Sequence, residues 1–217
     1  MRLDKNTYGT VLLVYLVCVL CIFALWRWVP CWWINLPLTL FFLAVAIWQT
    51  YFHMVPDRKP VGDDHLVTAV SDGKVVLVDR VFESSFLKRD VIMVSVYMDF
   101  WDLHANFWPV TGTVSFAEYF PGKHLLAFKP KASEENEHSC TIIRTKEGKE
   151  VMFKQLAGGF ARRIVCYARP GMAVKGGEQC GIIKFGSRID YFLPADVRIR
   201  VKVGDLVKGV SSIIAEL

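Results

Sequence analysis

Two uncharged apolar runs at the start of the chain limit its possible folds more than any other feature. The first, "TYGTVLLVYLVCVLCIFALW", covers Thr7 to Trp26, and the second, "CWWINLPLTLFFLAVAIWQTYF", covers Cys31 to Phe52. Each is long enough to cross the hydrocarbon core of a bilayer as a helix, where the backbone must satisfy its own hydrogen bonds. Only a few residues separate them, so the sequence predicts a transmembrane helical hairpin over about residues 7–26 and 32–52, with Pro37 bending the first turns of the second helix. A cleavable signal peptide has a shorter apolar core followed by a small-residue cleavage site, and neither is present. Tyr8, Trp26, Trp28, Trp32, Trp33, Trp48 and Tyr51 cluster at the ends of the runs, as interfacial anchors do. Arg2 and Lys5 precede the first run and Arg58 and Lys59 follow the second, whereas the connection carries only Arg27. The positive-inside rule therefore places both ends, and everything after residue 56, on the cytoplasmic side of the cell membrane.

From residue 57 onward the pattern changes. Turn residues alternate with short β-branched runs: "HLVTAV", "KVVLV", "VIMVSVYM", "CTIIRT", "RRIVCYA", "CGIIKF" and "DVRIRVKV". Helical periodicity is absent apart from a short predicted turn around Gln155 to Phe160, so residues 57–217 read as a mainly β domain. A quasi-repeat runs through it. "GMAVKGGEQCGII" from Gly171 and "GDLVKGVSSII" from Gly204 share G-x-x-V-K-G and an Ile pair, while "SDGKVV" and "VTGTVS" share a Gly two residues before a Val. Such turn-and-strand units form the corners of barrel-sandwich folds like the biotinyl and lipoyl carrier domains.

Cysteine usage and charge narrow the function. Cys18, Cys21 and Cys31 lie in the membrane segment and Cys140, Cys166 and Cys180 are scattered singly, which excludes a disulfide framework and leaves no metal-ligand grouping. A net charge of +5 suits a surface facing anionic headgroups, and no basic-aromatic run points to nucleic acid.

One stretch breaks the β pattern. In "GIIKFGSRIDYFLP", Gly186-Ser187 interrupts an otherwise continuous strand, which marks a turn, a bulge or a site of chemistry on the chain itself. A serine nucleophile needs a base and the base an orienting group. Of the histidines, His53 ends an apolar run, His65 and His138 sit in charged segments and His124 follows a Pro-Gly turn. His104 differs, lying in the aromatic stretch "MDFWDLHANFWPVTG". Asp72, in "SDGKV", is the candidate orienter, although Asp-Gly is also an ordinary turn pair.

Taken together and in order, these segments resemble the pyruvoyl-dependent phosphatidylserine decarboxylase proenzymes of the small, membrane-anchored type. "SDGKV" resembles the family's A-D-G-x-V, "HANFWPVTG" its H-x-N-x-x-P-x-x-G, "ENEH" its E-N-E-R, "QLAGGFARRIVC" its Q-x-A-G-x-x-A-R-R-I, and "FGSRIDYFLP" the block around its self-cleavage point. The chain departs from the pattern at Ser71, Phe107, His138 and Arg188 while keeping the Asp, His and Gly-Ser positions. The resemblance implies self-cleavage between Gly186 and Ser187. It implies a β chain of residues 1–186 and an α chain of residues 187–217 that stay together as a heterodimer. It implies a pyruvoyl cofactor made from Ser187, and decarboxylation of phosphatidylserine to phosphatidylethanolamine through a Schiff base with that group. His104 becomes the base and later proton donor, Asp72 its orienter, and Arg188 a substrate-binding residue for phosphate or carboxylate. The partners implied are the phospholipid and the membrane, with room for a higher oligomer and no metal. Two other readings stay open at this stage: a membrane-anchored adaptor of the lipoyl type without enzymatic activity, and a decarboxylase of another serine phospholipid. The aromatic stretch around His104 has two fates, core filling or contact with the bilayer.

Overall fold

The computed structural model describes residues 1–61, 63–123, 125, 135–158, 163–184 and 187–217. The chain divides into two compact units, Met1–Pro56 and Asp57–Leu217.

The first unit is a helical hairpin. Helix α1 spans Tyr8–Trp28 and α2 spans Trp32–Phe52, each long and apolar enough to cross a membrane. The helix α2 runs through Pro37 unbroken; at the sixth helical position the proline removes one hydrogen bond near the helix start, where the disruption is least. Trp26 Nε1 donates to Thr39 Oγ1 at 3.0 Å, and Tyr15 and Thr50 share a hydroxyl bond, so polar groups in these apolar helices pair with each other. Two short strands, β1 (Arg2–Leu3) and β2 (Met54–Val55), pair antiparallel and join the ends of the hairpin.

The second unit is built from strands. In chain order they are β3 (Leu66–Thr68), β4 (Gly73–Glu83), β5 (Arg89–Met98), β6 (Ala105–Phe107), β7 (Gly112–Phe120), β8 (His138–Arg144) and β9 (Glu150–Ala157). After these come β10 (Arg163–Cys166), β11 (Ala173–Val174), β12 (Gln179–Lys184), β13 (Ser187–Pro194), β14 (Arg198–Ile199), β15 (Leu206–Val207) and β16 (Ile213–Glu216). Eight form one curled antiparallel sheet in the order β11-β7-β8-β9-β13-β5-β4-β15, and two three-stranded sheets, β10-β12-β6 and β14-β16-β3, accompany it. Gln155 lies in β9 rather than in the short helical turn expected there, because the alternation Val151, Phe153, Gln155, Ala157 continues the pattern of one sheet face.

The strand order is a palindrome about the β9–β13 pair, and the sequence quasi-repeat is its cause. Gly73 pairs with Val207 as Gly112 pairs with Val174, and Lys74 with Leu206 as Thr113 with Ala173. Bulges recur at Val75/Leu77 and Val114/Phe116, and again at Gln179/Gly181 and Ile213/Ala215. Residues His65–Val75 thus correspond to His104–Val114, and each half of the domain repeats the other. Gly73 and Gly112 sit where strands approach closely. A Cβ on Gly112 would lie 2.3 Å from the Arg144 carbonyl oxygen and 2.9 Å from Ile143 Cγ2, and Gly73 meets Tyr97 and Val96 in the same way. We expect Gly112→Ala to lower stability by about 2–3 kcal/mol, since backbone rather than a flexible side chain must give way; a denaturant titration of the variant checks this.

One core fills the space between the sheets, with Val67, Val75, Val96, Val114, Ile143, Phe153, Ile183, Ile189, Tyr191 and Ile214 among its fully buried members. A smaller cluster of Val91, Met93, Cys140, Ile142, Met152 and Phe192 lies on the other face of the large sheet, with Phe86, Phe116 and Phe120 packed against it. The strand β13 is central and buried on both faces, held by apolar burial and by hydrogen bonding to β5 and β9.

Candidate active site

The segments that carry Asp72, His104 and Ser187 run to one end of the large sheet. Lys74 of β4 and Arg188 of β13 both stand opposite Tyr97 of β5. Asp72, one residue before β4, and Ser187, the first residue of β13, therefore flank the end of β5, and β5 runs directly into the loop that carries His104.

Ser187 is fully buried. Strand alternation points its side chain toward the main core with Ile189 and Tyr191, and its Oγ lies 3.8 Å from Met98 Sδ. A thioether is a weak acceptor, so this hydroxyl is enclosed without a strong partner among the described residues. Gly186, the other half of the expected cleavage site, lies outside the described residues, as does His124.

His104 is fully buried just before β6. Its Nδ1 is 2.8 Å from the Asp102 carbonyl oxygen, which can only accept; Nδ1 therefore carries the hydrogen and Nε2 is the basic nitrogen of the neutral ring. Its own carbonyl accepts from Ile183 N–H at 3.3 Å, tying it to the strand that leads toward Ser187. The loop before it is fixed by two local bonds, Asp99 N–H to Asp102 Oδ2 at 2.9 Å and Trp101 N–H to Asp99 Oδ1 at 2.8 Å. Burial pushes the Asp102 carboxyl above its usual range, opposed by the Asp99 N–H and reinforced by the negative charges of Asp99 and Asp72. Of the aromatic stretch, Trp108 and Phe107 are core residues, while Trp101 is 74% exposed and Phe100 is also exposed.

Asp72 makes an ion pair with Arg58, with Nη2 to Oδ2 at 2.7 Å and Nη1 on Oδ1, and Oδ1 also accepts from Gly209 N–H at 2.8 Å. The internal repeat separates its two roles. In the other half Thr111 Oγ1 accepts from Gly176 N–H at 3.1 Å, so the bond to Gly209 is a turn fastening that a neutral hydroxyl performs equally well. What Asp72 adds is a negative charge, and Arg58 answers it. The sequence had placed Arg58 only as a positive flank of the membrane segment; nothing in its spacing from Asp72 marks the pair.

Arg188 is buried, with Nε 2.8 Å from Asp190 Oδ1 and Nη2 2.8 Å from Asp190 Oδ2. As the next residue in the strand it projects to the face opposite Ser187, so its guanidinium binds an internal carboxylate on the far side of the sheet. His138, read from sequence as part of a charged segment, begins β8 and stacks on Phe120 at 5.0 Å, with Nδ1 2.7 Å from the Asn136 carbonyl. Burial foremost, and the Lys154 ammonium second to the Asn136 bond in size but opposite in sign, hold its pKa below the ordinary value despite Asp190. The unfolded chain therefore takes up a proton on this ring first as pH falls from about 6.5, and stability present above that pH is lost below it. His138→Gln is expected to flatten the fall in melting temperature between about pH 7 and 5, measured by thermal unfolding across that range.

The profile of the phosphatidylserine decarboxylase family matches residues 45–215, spanning every element of this site. The chain belongs to that family. Among its relatives, a phosphatidylserine decarboxylase proenzyme of Bacteroides fragilis is 41% identical over 192 residues, covering 86% of this chain and 84% of the relative. That of Nitrosomonas eutropha is 40% identical over 194 residues, covering 89% and 85%, and that of Amoebophilus asiaticus 38% over 173 residues, covering 80% and 77%. Members of the family are decarboxylases made as proenzymes, which fits a site whose candidate nucleophile begins a central strand.

Proposed function

We propose that this chain is a membrane-anchored phosphatidylserine decarboxylase whose cofactor is generated from Ser187 by self-cleavage of the 186–187 peptide bond. The observation that carries the reading is the enclosed Ser187 hydroxyl at the head of β13, which has only a thioether near it among the described residues, in a domain that the family profile matches up to residue 215. A serine kept only for structure and buried this deeply normally has a strong hydrogen-bond partner.

His104 Nε2 accepts the proton of Ser187 Oγ, and the oxygen adds to the carbonyl of residue 186, shifting the acyl group from nitrogen to oxygen. Loss of the Ser187 α-proton then expels the ester carboxylate, cuts the chain and leaves a dehydroalanine, which tautomerises to an imine that water hydrolyses to the ketone with release of ammonia. The site fits the pyruvoyl group that follows: a flat keto unit at residue 187 gives up the weak side-chain contact with Met98 and the backbone N–H of that residue, and Ala157 opposite it leaves the space small. When formed, the group supplies a carbonyl that captures the substrate amine and draws in the electron pair left behind by CO₂. His104 Nε2 holds the proton that returns to the substrate carbon, and its burial keeps bulk water from competing. Asp72 and Arg58 set the electrostatic balance at the same end of the sheet. The helices α1 and α2 tether the enzyme to the membrane that contains its lipid, with the domain on the cytoplasmic side, and raise the local substrate concentration. Residues 1–186 and 187–217 remain one folded heterodimer.

Intact-mass measurement on the purified protein, with CO₂ release from phosphatidylserine vesicles, tests the proposal. Two chains split at 186–187, the smaller with a blocked and carbonyl-reactive start, together with CO₂ release support it. One uncut, inactive chain returns the protein to the adaptor reading.

A further inference from the structure

The internal repeat provides a control within the molecule: polar residues that the fold itself requires should recur in both halves. Among the buried ones that do not, three are joined by hydrogen bonds. Ser139 Oγ donates to Gln155 Oε1 at 2.8 Å, and Gln155 Nε2 donates to Asn106 Oδ1 at 2.7 Å, linking β8 and β9 of the large sheet to β6 of the small one. Asn106 and Gln155 are fully buried and Ser139 nearly so. The register gives their counterparts. Ser139 pairs with Gln155 as Ile92 pairs with Leu193, and Asn106 faces Gly181 as Val67 faces Ala215. The other half therefore fills the three positions with Ile92, Leu193 and Val67 and packs them as core.

The polar set is also built for. A Cβ on Gly181, the counterpart of Ala215, would lie 3.0 Å from Gln155 Nε2 and 2.2 Å from the Val165 carbonyl oxygen, so the bare glycine makes room for the amide. The chain of donors has one direction. Because Gln155 occupies Asn106 Oδ1, the Asn106 carboxamide is fixed with Nδ2 outward, and this buried N–H₂ has no hydrogen-bond partner among the described residues. Such a group costs about 1–3 kcal/mol unless something uses it. Its position indicates what. Asn106 follows His104 by two residues, hence on the same side of the strand, and Gln155 stands opposite Ile189, diagonal to Ser187 on the same sheet face.

We propose that Asn106 Nδ2 donates a hydrogen bond to the oxygen of the carbonyl attacked by Ser187, with Gln155 and Ser139 as positioning residues; this rests on the self-cleavage proposed above. As the Oγ–C bond forms, the carbonyl π pair moves onto that oxygen and the hydroxyl proton passes to His104 Nε2. The alkoxide then collapses, the C–N bond to Ser187 breaks, and the nitrogen takes the proton back. Asn106 meets the negative charge only between those two events, so it speeds the shift without holding the starting peptide bond more tightly.

The test follows chain splitting of freshly synthesised full-length protein inserted in lipid nanodiscs, resolved on gels over time and across pH. Asn106→Ala, and Asn106→Asp, which keeps the acceptor for Gln155 and removes the donor, are expected to split about 100-fold more slowly than wild type, Asn106→Ala with an unchanged pH midpoint. The triple variant Ser139→Ile, Gln155→Leu, Asn106→Val copies the apolar half; it is expected to fold, with a melting temperature at or above that of uncut wild type, and to be at least as slow. Splitting of Asn106→Ala at the wild-type rate, or of the triple variant if Asn106→Ala does not fold, overturns the proposal. Slow splitting of Asn106→Ala with a shifted pH midpoint also overturns it, by assigning the loss to a displaced His104. Wild type that never splits instead defeats the functional reading on which the proposal stands.

Discussion

Ser187→Ala is expected to give one uncut chain of 24.7 kDa and to lower decarboxylation by about 10⁴-fold or more, while leaving the fold as stable as before. On the proposed mechanism the loss follows from chemistry, since the substitution removes both the nucleophile for cleavage and the atoms from which the electrophile is made. The unchanged stability follows from packing. Among the described residues the hydroxyl contacts only a thioether, so its removal vacates no strong hydrogen bond there and turns a buried polar side chain into an apolar one; a shift within about 1 kcal/mol is expected. Intact mass, CO₂ release and thermal unfolding on the same preparation separate the two effects. A destabilised, partly cut variant would contradict both halves of the expectation.

Asp190→Ala has the largest expected effect on stability. Arg188 and Asp190 form a two-pronged pair whose side chains are 5% and 0% exposed, and removing the carboxylate leaves a guanidinium, which keeps its charge, without its counterion in the sheet. A loss of about 3–5 kcal/mol is expected. Replacing both members with apolar side chains, Arg188→Met with Asp190→Leu, is expected to recover most of it, because desolvation of the ions and their attraction are removed together. Denaturant titrations of the single and double variants measure the difference. If the single variant is no less stable than the double, the pair contributes little and Arg188 becomes available for a substrate phosphate. Because Arg188 points away from Ser187, the double variant is also expected to keep self-cleavage.

Much of the molecule was legible in the chain. Length and polarity alone point to two helices, since an uncharged run of about twenty residues satisfies its own backbone polar groups as a helix. The β character after residue 57 follows from alternation of β-branched residues with turn residues. The repeated G-x-x-V-K-G and Gly-x-Val units, noticed as short likenesses, turn out to be the two edge strands of one sheet and the strands they pair with. Ser187, His104 and Asp72 stand out because each carries reactive chemistry in a segment similar to a family block.

Contacts between segments distant in sequence were decided only by the fold. Arg58 meets Asp72, and Asn106 meets Gln155, across separations that no local periodicity encodes. The nitrogen of His104 that is basic depends on a carbonyl placed by the Asp99–Asp102 loop. The sheet face that Arg188 occupies depends on where β13 begins: one residue of register separates a side chain that could meet substrate from one buried against Asp190. Composition and spacing determine which elements form and which reactive groups the chain carries. Register and the pairing of the two halves determine which groups meet, because those contacts are set by the packing of the whole domain rather than by any single stretch of it.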